Sequence, residues 1–212
     1  MKSIVVLISG SGTNLQAILD ACERGDINGR VSAVISNKAD AYGLKRAELS
    51  GVKAVVLSHK SYASREDYDR ALQQEIDQHQ PDLVVLAGFM RILSDEFVQH
   101  YTGRMLNIHP SLLPKYKGLN THQRALDAGD TEHGVTVHFV TPELDGGPTV
   151  IQSKVPVFSG DTAEELSERV RHQELSLYPL VVKWFCEDRL ELDGDTVLLD
   201  RQPLPTQGYA ND

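Results

Sequence analysis

Short apolar runs alternate with amphipathic segments through the first half of the chain, and this alternation constrains the fold more than any other feature. Ile4–Ile8 and Asp82–Ala87 are almost wholly apolar, which is typical of strands buried on both faces of a parallel sheet. The predicted strands of this half are 4–8, 31–36, 53–57, 82–87 and 104–109. The apolar residues of the segments between these strands recur at helical spacing. Strands that alternate with helices in this way predict a doubly wound α/β sheet with right-handed crossovers.

The second half predicts an antiparallel addition to that sheet. Apolar and polar residues alternate through 135–140, as in a half-buried strand, and a second strand over 150–158 follows the turn residues Asp145–Pro148. The capping box Thr162–Glu165 begins a long amphipathic helix. Pro179 lies inside that helix and should kink or break it.

Composition and charge argue against several classes of function. The chain has 21 Lys and Arg against 30 Asp and Glu, a formal net charge of −9. This balance argues against a large nucleic-acid footprint, which needs clustered Lys and Arg. No apolar stretch approaches the roughly 20 residues of a membrane helix, and the first residues lack a signal-peptide pattern. Cys22 and Cys186 lack a metal-type spacing and predict buried free thiols in the reducing cytoplasm.

Asn107 and His109 are the first candidate catalytic residues. They lie two apart in a predicted strand and so share a face, and Pro110 ends the strand at the edge where α/β sheets place ligands. An amide donor beside an imidazole suits the stabilisation of an oxyanion. Asp145, on a turn with two glycines, could orient the imidazole and raise its pKa. The alternative is a pair of polar residues that merely cap a strand end.

A glycine-rich loop, Ser9–Asn14, follows the first strand and opens the first helix. Glycine lets the backbone approach a ligand, and the N–H groups at the start of a helix favour an anion. Leu15 stands where a dinucleotide-binding loop has its third glycine, so the loop predicts a monophosphate rather than NAD. Thr13 and Gln16 fit a capping box, which would occupy some of these donors, and a plain tight turn is the alternative.

Two further features indicate ligand contacts, each with a structural alternative. Glu174 falls on the apolar stripe of the last long helix, where a carboxylate needs a partner, either a ligand or an internal Arg. The segment Gly88–Leu93 follows the fourth strand and either lines a pocket for a flat heterocycle or packs under a loop. His122 and His138 could border the site.

Together these motifs resemble the folate-dependent formyltransferases. The resemblance covers almost the whole chain and is carried by residues 5–15, 35–38, 86–93, 107–114, 134–138 and 143–147. It implies a single-domain, Rossmann-like formyltransferase fold, α/β in class, with a mostly parallel central sheet flanked by helices and an antiparallel addition in the C-terminal half. The implied domain covers 1–200, with a phosphate-binding half over 1–105, a catalytic and folate-binding half over 106–200, and a polar tail over 201–212.

The resemblance also implies roles for individual residues. The implied catalytic trio is Asn107, His109 and Asp145. The residues implied to hold the phosphate of a ribonucleotide are Gly12, Thr13 and Asn14. The residues implied to contact the rest of the ribonucleotide are Arg171, His172, Gln173 and Glu174. The folate would be bound by Arg65, Met90, Arg91, Ile92, Leu93, Asn107, Thr141, Pro142, Glu143, Leu144 and Asp145. Asn120 departs from the His that relatives often carry at that position.

The implied reaction is direct transfer of the formyl group of 10-formyltetrahydrofolate, a co-substrate, to the amine of phosphoribosylglycinamide in purine biosynthesis. No Ser or Cys lies in a nucleophile context, so we expect no covalent intermediate. The alternatives are formyltetrahydrofolate hydrolase and methionyl-tRNA formyltransferase, which normally carry an extra domain, and a non-catalytic nucleotide sensor. We expect small-molecule substrates, no metal, no nucleic acid and no membrane partner, with a monomer or weak homodimer in the cytoplasm.

Overall fold

Strands and helices alternate along residues 1–210, the part of the chain that a computed structural model describes. The strands are β1 (Lys2–Ile8), β2 (Gly29–Ser36), β3 (Lys53–Val56), β4 (Leu83–Leu86), β5 (Met105–His109), β6 (Glu132–Phe139), β7 (Thr149–Pro156), β8 (Leu190–Asp193), β9 (Thr196–Leu199) and β10 (Gln202–Pro203). The α-helices are α1 (Thr13–Glu23), α2 (Tyr42–Leu49), α3 (Arg65–Asp77), α4 (Asp95–His100), α5 (Thr121–Asp127) and α6 (Ala163–Cys186).

The central sheet has the strand order β3-β2-β1-β4-β5-β6-β7. The pairs β3-β2, β2-β1, β1-β4 and β4-β5 are parallel, and β6 pairs antiparallel with β7. This confirms the predicted fold class, a mostly parallel α/β sheet with an antiparallel addition in the second half. A smaller antiparallel sheet has the order β10-β9-β8. Two compact units, Met1–Asn107 and Ile108–Asp212, divide the chain within β5.

The first unit is built around β1. Residues Ile4–Ile8 are fully buried, with β2 on one side and β4 on the other. Helix α1 packs against β2 with a buried stripe that includes Leu15 and Ile18, and burial of each such side chain stabilises the fold by roughly 1.5–3 kcal/mol. Because β1, β2 and β4 are parallel, the residues that follow these strands meet at one edge of the sheet.

In the second unit, β6 is more buried than its sequence predicts. The alternation over 135–140 predicted a half-buried strand, yet every β6 residue after Glu132 is buried. The reason is that Thr136 packs against the segment that follows His109. The Thr136 hydroxyl donates to the Ser111 carbonyl at 2.7 Å and accepts from the Leu113 N–H at 3.1 Å. These bonds hold the start of that segment in place.

Helix α6 begins at the predicted cap and continues to Cys186. The Thr162 hydroxyl accepts from the Glu165 N–H at 3.1 Å, which confirms the predicted cap. Of the two outcomes expected at Pro179, a kink or a break, the break does not occur, because α6 runs through Pro179 to Cys186. A proline inside a helix costs about 3 kcal/mol, and the buried side of α6, which includes Val170 and Val181 and packs on β6 and β7, offsets that loss.

The C-terminal segment is held in place where the sequence predicts only a polar tail over 201–212. Strand β10 pairs with β9. The Tyr209 N–H donates to the Val150 carbonyl at 2.7 Å, and its ring lies 5.3 Å from that of Trp184. Residues 211 and 212 lie outside the described part of the chain.

Two negative findings apply to residues 1–210. None of their helices combines the length and the apolar character that crossing a bilayer requires, and no cluster of three or more His, Cys, Asp or Glu side chains could hold a metal ion. Cys186 is buried and Cys22 half-buried, and neither forms a disulfide bond. Burial raises the pKa of Cys22 to about 11, so this thiol is protonated at neutral pH and unreactive.

Candidate active site

His109 is held at the end of β5 through both of its ring nitrogens. Nε2 lies 2.8 Å from the Tyr116 carbonyl oxygen; because a carbonyl only accepts, this nitrogen carries a proton. Nδ1 lies 3.6 Å from Oδ2 of Asp145, and the two side chains are each 8% exposed. That distance is too long for a hydrogen bond and suits an ion pair when the ring is doubly protonated. The structure thus brings together two of the three predicted catalytic residues.

Asp145 is fixed by its backbone as well as by its carboxylate. It adopts a left-handed conformation with φ 51°, which is uncommon outside glycine but accessible to Asp. Its Oδ2 accepts from the Gly118 N–H at 2.9 Å. Two residues later, a side chain at Gly147 would collide with the Phe139 carbonyl oxygen, so only glycine fits there. The turn that carries Asp145 is therefore narrowly specified.

Asn107 lies two residues before His109 on β5 and is half-buried. It pairs with Leu86 in the neighbouring strand. The residues on the other face, Leu106 and Ile108, are buried as predicted. Residues two apart in a strand share a face, so the strand presents the amide of Asn107 on the same side as the His109 ring.

The segment Tyr116–Gly118 was missed by the sequence analysis, although it contacts both His109 and Asp145. It acts through backbone atoms, the Tyr116 carbonyl and the Gly118 N–H. Tyr116 itself is in a left-handed conformation with φ 55°, and its hydroxyl donates to Asp130 at 2.5 Å. Contacts made by backbone atoms cannot be recognised from residue type. The one hint in the sequence of this segment was Gly118, because glycine often marks a turn.

Helix α5 follows this segment and was also missed. Its N-cap is Asn120, which has a left-handed φ of 57° and makes no side-chain cap bond. Asn tolerates this conformation better than most residues do. Asn120 is exposed.

Three other histidines surround this region. Nδ1 of His122 lies 3.0 Å from Nε2 of His133, and Nδ1 of His138 lies 2.9 Å from the Phe139 carbonyl. Burial lowers the pKa of all three, that of His133 to about 4, and the charge of His109 adds to each shift. His122 and His138 therefore lie within electrostatic range of His109, and their lowered pKa values favour neutral rings at physiological pH.

The buried His133 predicts a loss of stability in mild acid. Its folded-state pKa of about 4 lies below the unfolded value of about 6.5, so below pH 6.5 the unfolded chain binds a proton that the folded chain does not. We expect the free energy of unfolding to fall by about 2 kcal/mol on this account between pH 6.5 and 4.5.

Urea unfolding of His133→Gln at both pH values checks this expectation, with the exposed His172→Gln as control. The pH-dependent loss should shrink in the first variant and persist in the second. An equal loss in wild type and His133→Gln would contradict the assignment.

In the first unit, the glycine-rich loop leaves the start of α1 without a side-chain cap. The predicted capping box is wrong: α1 begins at Thr13, and its N-cap is Gly12, at a φ of 76° that favours glycine. Gln16 instead donates to Asp20. Oδ1 of Asn14 is buried and has no hydrogen-bond partner. The N–H groups of the first turn are therefore not taken by a side-chain cap, as an anion site requires.

Helix α2 braces this loop, a contact that the sequence analysis did not identify. The Gly43 N–H donates to the Gly10 carbonyl at 3.1 Å. Nε of Arg46 donates to the Ser11 carbonyl at 2.7 Å. A side chain on Gly12 would lie 2.7 Å from the Cα of Gly43, so the two backbones touch. Helix α2 therefore supports one side of this loop, Gly10–Asn14, which we call the phosphate cradle.

The predicted folate-binding residues include several exposed apolar side chains. Met90 and Ile92 are each 58% exposed, and Leu144 is 51% exposed. The guanidinium of Arg91 lies 4.6 Å from the centre of the Tyr68 ring. Of the remaining predicted residues, Leu93 and Thr141 are half-buried, whereas Arg65, Pro142 and Glu143 are exposed. In each of the two segments, 90–93 and 141–145, exposed apolar side chains suit contact with an apolar ligand.

The predicted ribonucleotide contacts on α6 lie on successive sides of that helix. Arg171 pairs with Glu168 at 2.5 Å, and Gln173 accepts from the Ser153 hydroxyl at 2.6 Å. His172 is exposed. Glu174 is half-buried, on a stripe whose other members are buried. Partial exposure reduces the desolvation that a carboxylate on this stripe must bear.

Comparison with known proteins agrees with this geometry. A family model described as formyl transferase matches residues 2–182. Phosphoribosylglycinamide formyltransferase from Escherichia coli (strain K12) is 60% identical over 210 residues, which cover 99% of each chain. The human trifunctional purine biosynthetic protein adenosine-3 is 45% identical over 89% of this chain and 19% of its own length. The structure of phosphoribosylglycinamide formyltransferase from Coxiella burnetii matches with a TM-score of 0.94 at 52% identity, over 98% of both chains. The chain is therefore a formyltransferase and belongs to the formyl transferase family.

Proposed function

We propose that the chain transfers the formyl group of 10-formyltetrahydrofolate to the amine of phosphoribosylglycinamide, a step of purine biosynthesis. The observation that carries the proposal is the 60% identity, over 99% of both chains, with the Escherichia coli protein named for this activity. The buried pair of His109 and Asp145 supports it from the chemistry. The 10-formyltetrahydrofolate co-substrate, the ribonucleotide contacts, the cytoplasmic location and the monomer or weak homodimer are parts of the same proposal.

The reaction needs an electrophile held beside a donor of hydrogen bonds. The amine nitrogen attacks the formyl carbon, and the carbonyl electrons move to oxygen and form an oxyanion. In our proposal, the amide of Asn107 and the doubly protonated ring of His109 stabilise this oxyanion. The intermediate collapses as the bond from carbon to the folate nitrogen breaks. The amine loses one proton and the folate nitrogen gains one, so atoms and charge balance.

Asp145 has a defined part in this scheme. A carboxylate 3.6 Å from Nδ1 pairs with the charged imidazolium that the scheme requires and helps to hold the orientation of the ring. Asp145 also has a structural role, because the same carboxylate oxygen accepts a hydrogen bond from the Gly118 N–H.

The other ring nitrogen of His109 must change partner during the reaction. In this structure Nε2 donates to the Tyr116 carbonyl, so the proton that would serve the oxyanion is already engaged. We propose that substrate binding exchanges this carbonyl for the substrate oxygen. The exchange replaces one acceptor by a more basic one, which strengthens the hydrogen bond as negative charge develops.

The two halves of the implied domain have separate roles in the proposal. Residues 1–105 supply the phosphate cradle, with Gly12, Thr13 and Asn14 as the binding residues. Residues 106–200 supply His109 and Asp145. The uncapped start of α1 and the buried, unpartnered Oδ1 of Asn14 support the first role.

A turnover assay with three acceptors tests the function. The chain is supplied with 10-formyltetrahydrofolate and with phosphoribosylglycinamide, water alone or methionyl-tRNA, and the release of tetrahydrofolate is followed by absorbance. We expect rapid release only with phosphoribosylglycinamide. Equal release with water alone would assign a hydrolase, and binding of the ribonucleotide without any release would assign a sensor.

A further inference from the structure

Ser9 joins the ends of three strands of the first unit through one buried hydroxyl. It directly follows β1 and is 6% exposed. Its Oγ lies 2.6 Å from Oδ1 of Asn37, which follows β2 and is 4% exposed, and 2.8 Å from the backbone nitrogen of Met90, which follows β4. The hydroxyl is thus a single anchor for three chain segments.

The direction of each hydrogen bond follows from the chemistry of the groups. The Met90 N–H can only donate, so the Ser9 oxygen accepts from it. The one hydroxyl proton then goes to Oδ1 of Asn37, which fixes the amide orientation of that residue. Both bonds are short; the bond to Asn37 is buried and the bond to Met90 is part-buried. Removing the hydroxyl takes this partner from the Met90 N–H and from the buried side-chain carbonyl of Asn37.

The segments that Ser9 joins are those that the proposed function assigns to the two substrates. Ser9 immediately precedes the phosphate cradle Gly10–Asn14, whereas Met90 opens the folate-binding residues 90–93. A ligand that orders one of these segments therefore also holds the Ser9 hydroxyl in place, and this hydroxyl in turn supports the second segment. A ligand that orders a shared element lowers the entropy that a second ligand must lose.

We infer that Ser9 is a positioning residue that couples the binding of the two substrates. The inference rests on the proposed function. Because binding free energies are linked, phosphate in the cradle must raise the affinity for the folate by the same factor by which the folate raises the affinity for phosphate.

The test is a binding experiment that involves no turnover. The Kd of 10-formyltetrahydrofolate is measured by calorimetry without and with saturating inorganic phosphate, which fills the cradle but offers no amine. In the wild type we expect phosphate to lower this Kd by about fivefold or more. In Ser9→Ala the ratio of the two values should approach one, and in Ser9→Thr, which keeps a hydroxyl, it should recover.

Ser3→Ala is a matched control. It removes a hydroxyl from the other end of β1, where Ser3 and Ser32 form a side-chain hydrogen bond of 2.6 Å, and should leave the ratio unchanged. If Ser9→Ala does not fold, as judged by thermal unfolding, Asn37→Ala removes the acceptor of the Ser9 proton and should lower the ratio partway.

A ratio of one in the wild type, or an unchanged ratio in a folded Ser9→Ala, would overturn the inference. Either result is separable from failure of the proposed function, which would appear as absent turnover with phosphoribosylglycinamide.

Discussion

His109→Ala is expected to lower kcat for formyl transfer by at least roughly 10²–10³-fold, equivalent to about 3–4 kcal/mol of transition-state stabilisation. The reason is that the imidazolium supplies one of the two proposed donors to the oxyanion, and the Asn107 amide alone cannot replace its charge. Steady-state rates with phosphoribosylglycinamide measure the effect. KM should change far less than kcat, because the lost interaction forms only in the transition state.

His100→Ala is the matched control for this variant. His100 also pairs with a carboxylate, that of Asp77 at 2.9 Å, but lies in the first unit and outside every proposed site. Its kcat should match the wild type. The role proposed for His109 is refuted if a folded His109→Ala retains near-normal turnover.

Asp145→Asn is expected to lower kcat by roughly 10²–10³-fold with little change in stability. The amide oxygen can still accept from the Gly118 N–H, so the turn keeps its structure, while the negative charge paired with the His109 ring is lost. Circular dichroism and thermal unfolding check the fold, and the same steady-state assay checks the rate. Asp77→Asn, which removes the equivalent charge from the His100 pair, should have no effect on the rate.

The double variant His109→Ala, Asp145→Asn separates two explanations of such a loss. If Asp145 acts through the ring, the double variant should be no slower than His109→Ala alone, since groups that act as a unit are not additive. If the reduction in kcat of the double variant instead equals the product of the two single reductions, Asp145 acts on the substrate independently of His109.

Much of the fold could be predicted because the local signals were strong. The apolar run at Ile4–Ile8 and the cap at Thr162 correspond to a buried strand and a helix start in the structure. The position of His109 at the end of a strand was also predictable, from the two-residue periodicity of 104–109 and from Pro110. Each of these features depends on side chains whose chemistry is visible in the sequence.

Other features could not be predicted because tertiary contacts decide them. Thr13 fits a cap by spacing, but the close approach of Gly12 to Gly43 turns the backbone so that Gly12 takes that place. The partners of His109 and Asp145 in 116–118 are backbone groups, which every residue carries. The burial of Thr136 depends on a chain segment 25 residues away.

The attachment of Tyr209 has a practical consequence for protein engineering. The family match ends at residue 182, which invites shortened versions of the chain. A cut before Tyr209 would strip one aromatic ring from Trp184 and deprive the Val150 carbonyl of its hydrogen bond, so such versions should melt at a lower temperature. Affinity tags fused at this end are best attached beyond residue 210, through a spacer that leaves the docked tyrosine undisturbed.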